Sequence, residues 1–190
     1  MKEQLEYFIR LNLKNPCDEE IQSILEIFDL KVFQKNDYFK RSDQRGKKVG
    51  FIVEGTCRHY VVKANGKEIT GRISQKNEFV ADLVAIRTKE LTPLAIKAVE
   101  PTKILVASVK DMELLLEKNL TFNRLLREYM ADGLVEMAKM RMLFLGGTAK
   151  ERYKYILENN PNLISSVPLR FIASLIGITP TQLSRIRNNK

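Results

Sequence analysis

Thr181, Gln182, Ser184, Arg185 and Arg187 lie close together near the end of the chain, and each carries a hydrogen-bond donor. On one helix they would form a polar outer face, with Leu183 and Ile186 turned the other way. Such a face suits the reading of base edges in a DNA major groove, where arginine pairs bidentately with guanine and glutamine with adenine. Arg185 is the leading candidate for a base-edge donor, followed by Thr181, Gln182 and Ser184. A helical hairpin with a merely solvated face would carry the same residue types, so the flanking positions have to decide.

Those positions agree on a helix-turn-helix over Leu169–Asn188. Ile172, Ala173 and Ile176 place an apolar stripe on the first helix, with a small residue where a second helix must cross. Gly177 supplies a left-handed backbone conformation to end it. Thr179 is a good N-cap whose N–H neighbourhood would meet phosphate, and Pro180 sits at the first helical position, where a missing N–H costs nothing. Leu183 and Ile186 then face back toward Ile178. The charge fits as well: of a formal +9, residues 147–190 hold +5, with seven Lys or Arg against Glu151 and Glu158. Lys150, Arg170, Arg187 and Lys190 are candidate phosphate contacts, as counterion release requires.

Other chemistries find little support. Cys17 and Cys57 are too few for a disulfide framework or an iron–sulfur cluster. His59 is the sole histidine and stands in an alternating strand, where it reads as a satisfied or exposed side chain and not a haem or metal ligand. A roll-type metalloenzyme would need about three inward histidines or carboxylates. Neither a glycine-rich phosphate loop nor a nucleophile elbow is present. The expectation is no enzyme, no metal and no cofactor. The charged N-terminus lacks an apolar signal core, and no stretch approaches a membrane span, so a cytoplasmic protein is expected. Exposure and thiol pKa decide whether Cys57 has a redox role.

The elements that must position the terminal motif follow from periodicity. Leu5, Phe8, Ile9 and Leu13 predict a first helix, and Ile21, Ile24, Leu25 and Phe28 a second, separated by Asn15-Pro16. From Lys31 the pattern becomes that of short strands: 31–34, 38–41, 49–54, 56–63, 68–74, one from Glu78, and, after a looser segment, 94–99 and 103–109. Asn65-Gly66 marks a hairpin whose tight turn takes positive φ angles. Together these predict an antiparallel roll or sandwich. Ser108 with Asp111 opens a helix to about Glu117. A long helix then spans Thr121–Leu145, where Leu126, Met130, Gly133, Met137, Met140 and Phe144 step by four and three as in a two-stranded coiled coil. Dimerisation through 121–145 is expected, since a two-fold DNA reader needs a partner to span two half-sites. Gly146-Gly147 ends that helix, and Thr148 with Glu151 forms another capping box before the helix 149–159.

The order roll, long helix, glycine hinge, helix-turn-helix resembles the Crp/Fnr family of bacterial transcription regulators over nearly the whole chain. VGFIVEGTCRHYVVKANGKE (Val49–Glu68) is similar to the family's strand–Gly–strand–hairpin unit, and NEFVADL (Asn77–Leu83) stands where the family has its phosphate-binding cassette. Thr181, Ser184 and Arg185 match the recognition pattern E-x-x-S-R with Thr in place of Glu, and the terminal VPLRFIASLIGITPTQLSRIR resembles Bacteroidetes versions. The resemblance implies an α+β chain: a β-roll (jelly-roll-like) sensor over 1–118, a dimerisation helix over 119–146 and an all-α helix-turn-helix domain over 147–190. It implies a homodimer bound to a double-stranded operator and, for an activator, contact with RNA polymerase. Cyclic-nucleotide binders of the family use a Gly-Glu pair and an Arg-Ser/Thr pair, aligned here with Ala81-Asp82 and Thr92-Pro93. The phosphate has lost its guanidinium, Pro93 removes a backbone donor, and Asp82 would hold a hydroxyl but repel a phosphate. Arg87 or Lys89 are candidate substitutes. Cyclic AMP is therefore not the expected effector; a different small molecule, or none, stays open.

Overall fold

The computed structural model describes residues 1–188; Lys190, one of the candidate phosphate contacts, lies outside the described residues. Helices α1 (Lys2–Asn12) and α2 (Asp18–Glu26) open the chain. Strands β1 (Asp29–Phe33), β2 (Tyr38–Lys40), β3 (Lys48–Glu54), β4 (Cys57–Val62), β5 (Glu68–Ser74) and β6 (Phe79–Val80) lead to helix α3 (Leu83–Thr88). Strands β7 (Ala95–Ala98) and β8 (Thr102–Ser108) complete the roll, and helices α4 (Val109–Lys118), α5 (Leu120–Gly146), α6 (Ala149–Asn159), α7 (Leu163–Ser166), α8 (Leu169–Leu175) and α9 (Pro180–Asn188) follow.

All strand pairs are antiparallel, and they form two four-stranded sheets, β1-β8-β3-β6 and β2-β7-β4-β5. Within the first sheet β3 and β8 are buried on both faces, which explains their unbroken apolar runs, while β1 at the border is mostly exposed. Ile52, Ile104 and Val106 point into the roll with Phe39, Cys57, Val80 and Ile96. Phe51, Val53, Leu105 and Ala107 point the other way, against Leu5, Ile9, Ile21, Ile24 and Phe28 of the N-terminal segment and Phe122 and Leu125 of α5. The period of two thus splits each strand between two cores. Gly50 permits the interior to close, because a Cβ there would lie 2.5 Å from Ile104 Cγ2 and 2.8 Å from Val80 Cγ1.

Two local expectations are corrected. The looser segment after β6 contains α3, a six-residue helix too short to show a period. At the Asn65-Gly66 hairpin only Gly66 has positive φ (+78°), and the loop closes through Gly66 N to Lys63 O (2.9 Å) and Lys63 N to Lys67 O (2.9 Å). This is a three-residue turn with its left-handed position on glycine, which asks nothing unusual of Asn65.

The start of α5 is fixed by polar groups. Asn119 Oδ1 accepts the Phe122 amide (2.7 Å), while Glu20 of α2 accepts the Leu120 and Thr121 amides (both 2.9 Å) and the Thr121 hydroxyl (2.5 Å). A carboxylate at the positive end of a helix is favourable, and these bonds hold the Glu20 carboxyl below its usual range. Further along, α5 leaves its own domain. Met130 is 53% exposed, Leu134 67% and Met137 70%. Of the expected seam, Leu126 packs on the N-terminal core and Met140 on the C-terminal one, while Met130 and Met137 are uncovered within the single chain and Phe144 is covered on one side by Arg152 and the Gly177 turn. Gly147 caps α5, and Thr148 with Glu151 forms the reciprocal box that starts α6.

Candidate nucleic-acid interface and ligand pocket

The terminal module is built around Tyr153, Ile156, Leu163, Val167, Ile172, Ala173, Ile176 and Leu183. Gly177 (φ +74°) turns the chain after α8, and Ile178 N closes the turn on Ala173 O (2.9 Å). A Cβ on Gly177 would meet Phe144 Cε1 at 3.1 Å, so the end of α5 rests directly on this turn. Helix α9 then begins at Pro180, with Thr179 Oγ1 accepting the Gln182 amide (3.2 Å). Thr179, Thr181, Gln182, Ser184, Arg185 and Arg187 are all exposed, while Leu183 is buried beneath them. The geometry is that of a presented polar helix face on a basic module.

One of these residues has a second task. Gln182 Oε1 accepts the Thr179 amide (2.9 Å) and the Thr179 hydroxyl (3.2 Å), so Thr179 and Gln182 form a reciprocal capping box. Sequence reasoning assigned Gln182 to base reading alone, although Thr-x-x-Gln before an apolar position is the capping-box signature.

In the roll, Asp82 is buried and caps α3, with Oδ1 accepting the Ala85 amide at 3.0 Å. Its Oδ2 faces Lys40 Nζ at 2.9 Å and accepts the Thr92 hydroxyl. Lys40 also reaches Thr92 Oγ1 (3.1 Å) and the Leu94 carbonyl (2.8 Å). Three ammonium protons thus meet three acceptors, all from the protein's own chain. Burial alone would raise the Asp82 carboxyl, but the Ala85 amide, the Thr92 hydroxyl and Lys40 outweigh it and hold the carboxyl below its usual range. The hydroxyl that Asp82 was expected to hold is the protein's own Thr92. Of the aligned positions, Asp82 and Thr92 meet in this cluster, whereas Pro93 is exposed and Ala81 half-buried. Neither expected substitute cation takes part: Lys89 pairs with Glu113 (3.1 Å) on the surface, and Arg87 is exposed.

Sequence reasoning missed Lys40 because a lysine in a short alternating strand ordinarily points to solvent. A hollow of about 490 Å³ adjoins the ion pair, walled by Phe39, Asp43, Arg45, Lys48 and Leu91 among others.

A second internal tie joins the roll to α5. Tyr129 Oη accepts the Phe79 amide (3.0 Å) and Arg72 Nη2 (3.3 Å), and its ring lies 5.0 Å from that of Phe79. Arg72 is held in turn by Glu78 (2.9 Å). The long helix is therefore seated on the cassette strand by protein groups alone. His59 is buried against Ser74 (3.1 Å); burial, with Arg72 adding and Asp82 opposing, pushes it down to about 3 and keeps it neutral. Burial likewise pushes the Cys57 thiol up to about 12, so this thiol is inert as a nucleophile at neutral pH. Among the described residues no group of three or more His, Cys, Asp or Glu comes together as a metal site, and no helix is long and apolar enough to cross a membrane.

The terminal module also docks on the roll. Ser174 Oγ of α8 accepts the Thr70 amide of β5 (2.9 Å), and Gln75 donates to Ser166 (2.9 Å). The Arg58 guanidinium lies between the Tyr60 and Phe171 rings, 4.5 and 4.1 Å from their centroids.

Comparison with known proteins agrees with this architecture. Residues 30–119 match the family model described as the cyclic nucleotide-binding domain. FixK2 from Bradyrhizobium japonicum superimposes with a TM-score of 0.72 at 20% identity, over 86% of this chain and 84% of that one. A CooA variant from Carboxydothermus hydrogenoformans gives 0.69 at 16% identity, covering 95% and 86%. The catabolite activator protein of Thermus thermophilus gives 0.57 at 18% identity, covering 91% and 83%. The chain thus has the fold of Crp/Fnr regulators, with a cyclic-nucleotide-binding-type roll at residues 30–119. Among curated protein sequences none matches it.

Proposed function

We propose that the chain is a non-enzymatic, sequence-specific DNA-binding transcription regulator of the Crp/Fnr type, acting as a homodimer and not gated by cyclic AMP. The observation that carries this reading is the exposed polar face of α9 on a basic module, joined to a long helix whose apolar stripe is uncovered in one chain. A second copy packed along residues 121–145 would cover Met130, Leu134 and Met137 and set two α9 helices one DNA turn apart, about 34 Å. In this reading residues 1–118 form the sensor, 119–146 the dimer helix and 147–190 the DNA-reading head. Arg185 is the principal base-edge donor, assisted by Thr181 and Ser184. Arg187, Arg170 and Lys150 meet phosphates, and Thr179 sets the start of the helix.

The Lys40–Asp82–Thr92 cluster supports independence from cyclic AMP. A cyclic phosphate entering here would meet a carboxylate whose counter-cation is already saturated, and it would have to break a buried ion pair to gain one. The hollow beside the cluster favours one alternative, a regulator gated by a small molecule other than cyclic AMP bound in the roll.

The test is fluorescence anisotropy of the purified protein with fragments of its own genomic DNA, with and without cyclic AMP. The expected result is saturable binding that the nucleotide does not alter and that Arg185→Ala weakens by about 1–3 kcal/mol, with relaxed specificity. Binding that appears only with cyclic AMP, or that is indifferent to Arg185→Ala at matched salt, would overturn this reading.

A further inference from the structure

Three lysines of the roll stand beside the head without counter-ions. Lys35 in the β1–β2 turn, Lys67 in the β4–β5 hairpin and Lys97 of β7 line a cleft of about 780 Å³ between the roll and the head. Arg170 of α8 joins them from the head side, and none of the four is ion-paired among the described residues. The one acid in the wall, Glu68, is taken by the buried Arg58. Two of the four cations are steadied by ring faces. Lys97 Nζ lies 5.0 Å from the Tyr38 centroid, and the Arg170 guanidinium 4.9 Å from that of Phe171. Such contacts hold a cation in place and leave its charge unneutralised. Thr179, Pro180 and Gln182 complete the lining, which places the cleft at the N-terminal end of α9.

That end decides what these cations face. A helix-turn-helix sets the N-terminal part of its second helix against the DNA, and the positive end of that helix meets backbone phosphate. The DNA strand crossing the start of α9 therefore passes the lysines on the opposite wall. The docking contacts of Ser174 with Thr70 and of Gln75 with Ser166 fix that wall relative to α9. Thr181, Ser184 and Arg185 do not line the cleft, so the lysines add charge beside the base-reading face without occupying it. We propose that Lys35, Lys67 and Lys97 hold the phosphate backbone of the operator, so that DNA is bound jointly by the head and the roll of one chain. The roll is then part of the DNA-binding surface as well as a sensor, and the full set of phosphate contacts forms only with the head docked. This inference rests on the reading of α9 as the DNA-reading helix.

The test is the salt dependence of DNA binding by the full chain, followed by fluorescence anisotropy from about 50 to 200 mM salt. The probes are a genomic fragment that the parent binds saturably and an unrelated duplex of equal length. Lys35→Gln with Lys67→Gln removes two cleft charges; Lys2→Gln with Lys118→Gln removes two elsewhere. Thermal melts establish that both variants fold. A homodimer of the cleft variant loses up to about four phosphate contacts, so its log–log salt slope is expected to be shallower by about 3 to 4. Its affinity is expected to fall by the same factor on both duplexes, while the control variant keeps the parent's slope. The parent's slope in the cleft variant, or equal flattening in the control, overturns the proposal. So does a loss confined to the genomic fragment, which would make the lysines determinants of sequence preference. Arg185→Ala separates this proposal from the reading beneath it. Relaxed specificity in Arg185→Ala with an unchanged slope in the cleft variant overturns the lysine assignment alone, whereas a parent that binds neither duplex overturns both.

Discussion

The buried cluster in the roll makes the most exacting prediction. Lys40→Met leaves the Asp82 carboxylate without its cation in a site where both side chains are at most 4% exposed. Breaking a buried pair from one side costs about 3–5 kcal/mol. For a chain of this size that corresponds to a fall in melting temperature of roughly 6–20 °C. Asp82→Asn keeps a cap for Ala85 but strands the ammonium, and a similar loss is expected. Combining the two substitutions removes the unpaired charge, so the losses should not add; a coupling of about 1–3 kcal/mol is expected. The pH dependence follows the same logic. The folded Asp82 carboxyl titrates below its usual 3.8, so its contribution is complete above about pH 4 and disappears as the pH falls through the lower folded value. The gap between the parent and Asp82→Asn should therefore narrow in acid. Urea unfolding followed by circular dichroism measures all of this. If each single variant lost less than about 1 kcal/mol and the two losses simply added, the pair would be behaving as a surface ion pair and the closed-pocket argument would fail.

Three further outcomes are accessible. Gln182→Ala should lower the stability of the terminal module by about 1 kcal/mol through loss of the cap and weaken DNA binding evenly across sequences; selective loss of preference at one base would show that Gln182 reads a base as well as capping the helix. Met137→Glu places a charge in the uncovered stripe of α5 and should shift the chain from dimer to monomer in light scattering, while a dimer unaffected at micromolar concentration would mean that another surface pairs the subunits. His59 titrates at about 3 when folded against 6.5 when free, so folding stability is complete above about pH 6.5 and declines in acid, by about 2–3 kcal/mol at pH 4.5; this decline should be absent in His59→Gln, and an unchanged pH profile in that variant would show that the ring is not buried neutral.

Much of the molecule was legible from spacing. The strands β3, β4, β5 and β8, the N-cap at Ser108, the capping box at Thr148, and the Gly177–Thr179–Pro180 turn are local features, decided by residues within a few positions of one another. What escaped is long-range. Lys40 and Asp82 are far apart in sequence and meet only because β2 and the N-terminus of α3 converge. The role of the Tyr129 hydroxyl as acceptor for Arg72 and Phe79 depends on where α5 is seated, which no local pattern gives. The six residues of α3 follow Asp82, which the sequence marks as a partner for a hydroxyl but which also serves as their cap. Gln182 is different, since its partner Thr179 is three residues away and the pattern was in plain view.

The docking of α8 on β5 has a consequence for the roll itself. β5 is a free border of its sheet, and the Thr70 amide, which has no further strand to meet, is taken up by Ser174. Ile73 is covered by the terminal core in the same way. The terminal module therefore shields a raw strand border that would otherwise recruit strands from other molecules. A head that swings away uncovers a sticky edge, so colloidal solubility and head position are linked. Cleavage at the Gly146-Gly147 junction should leave a roll more prone to self-association than the intact chain.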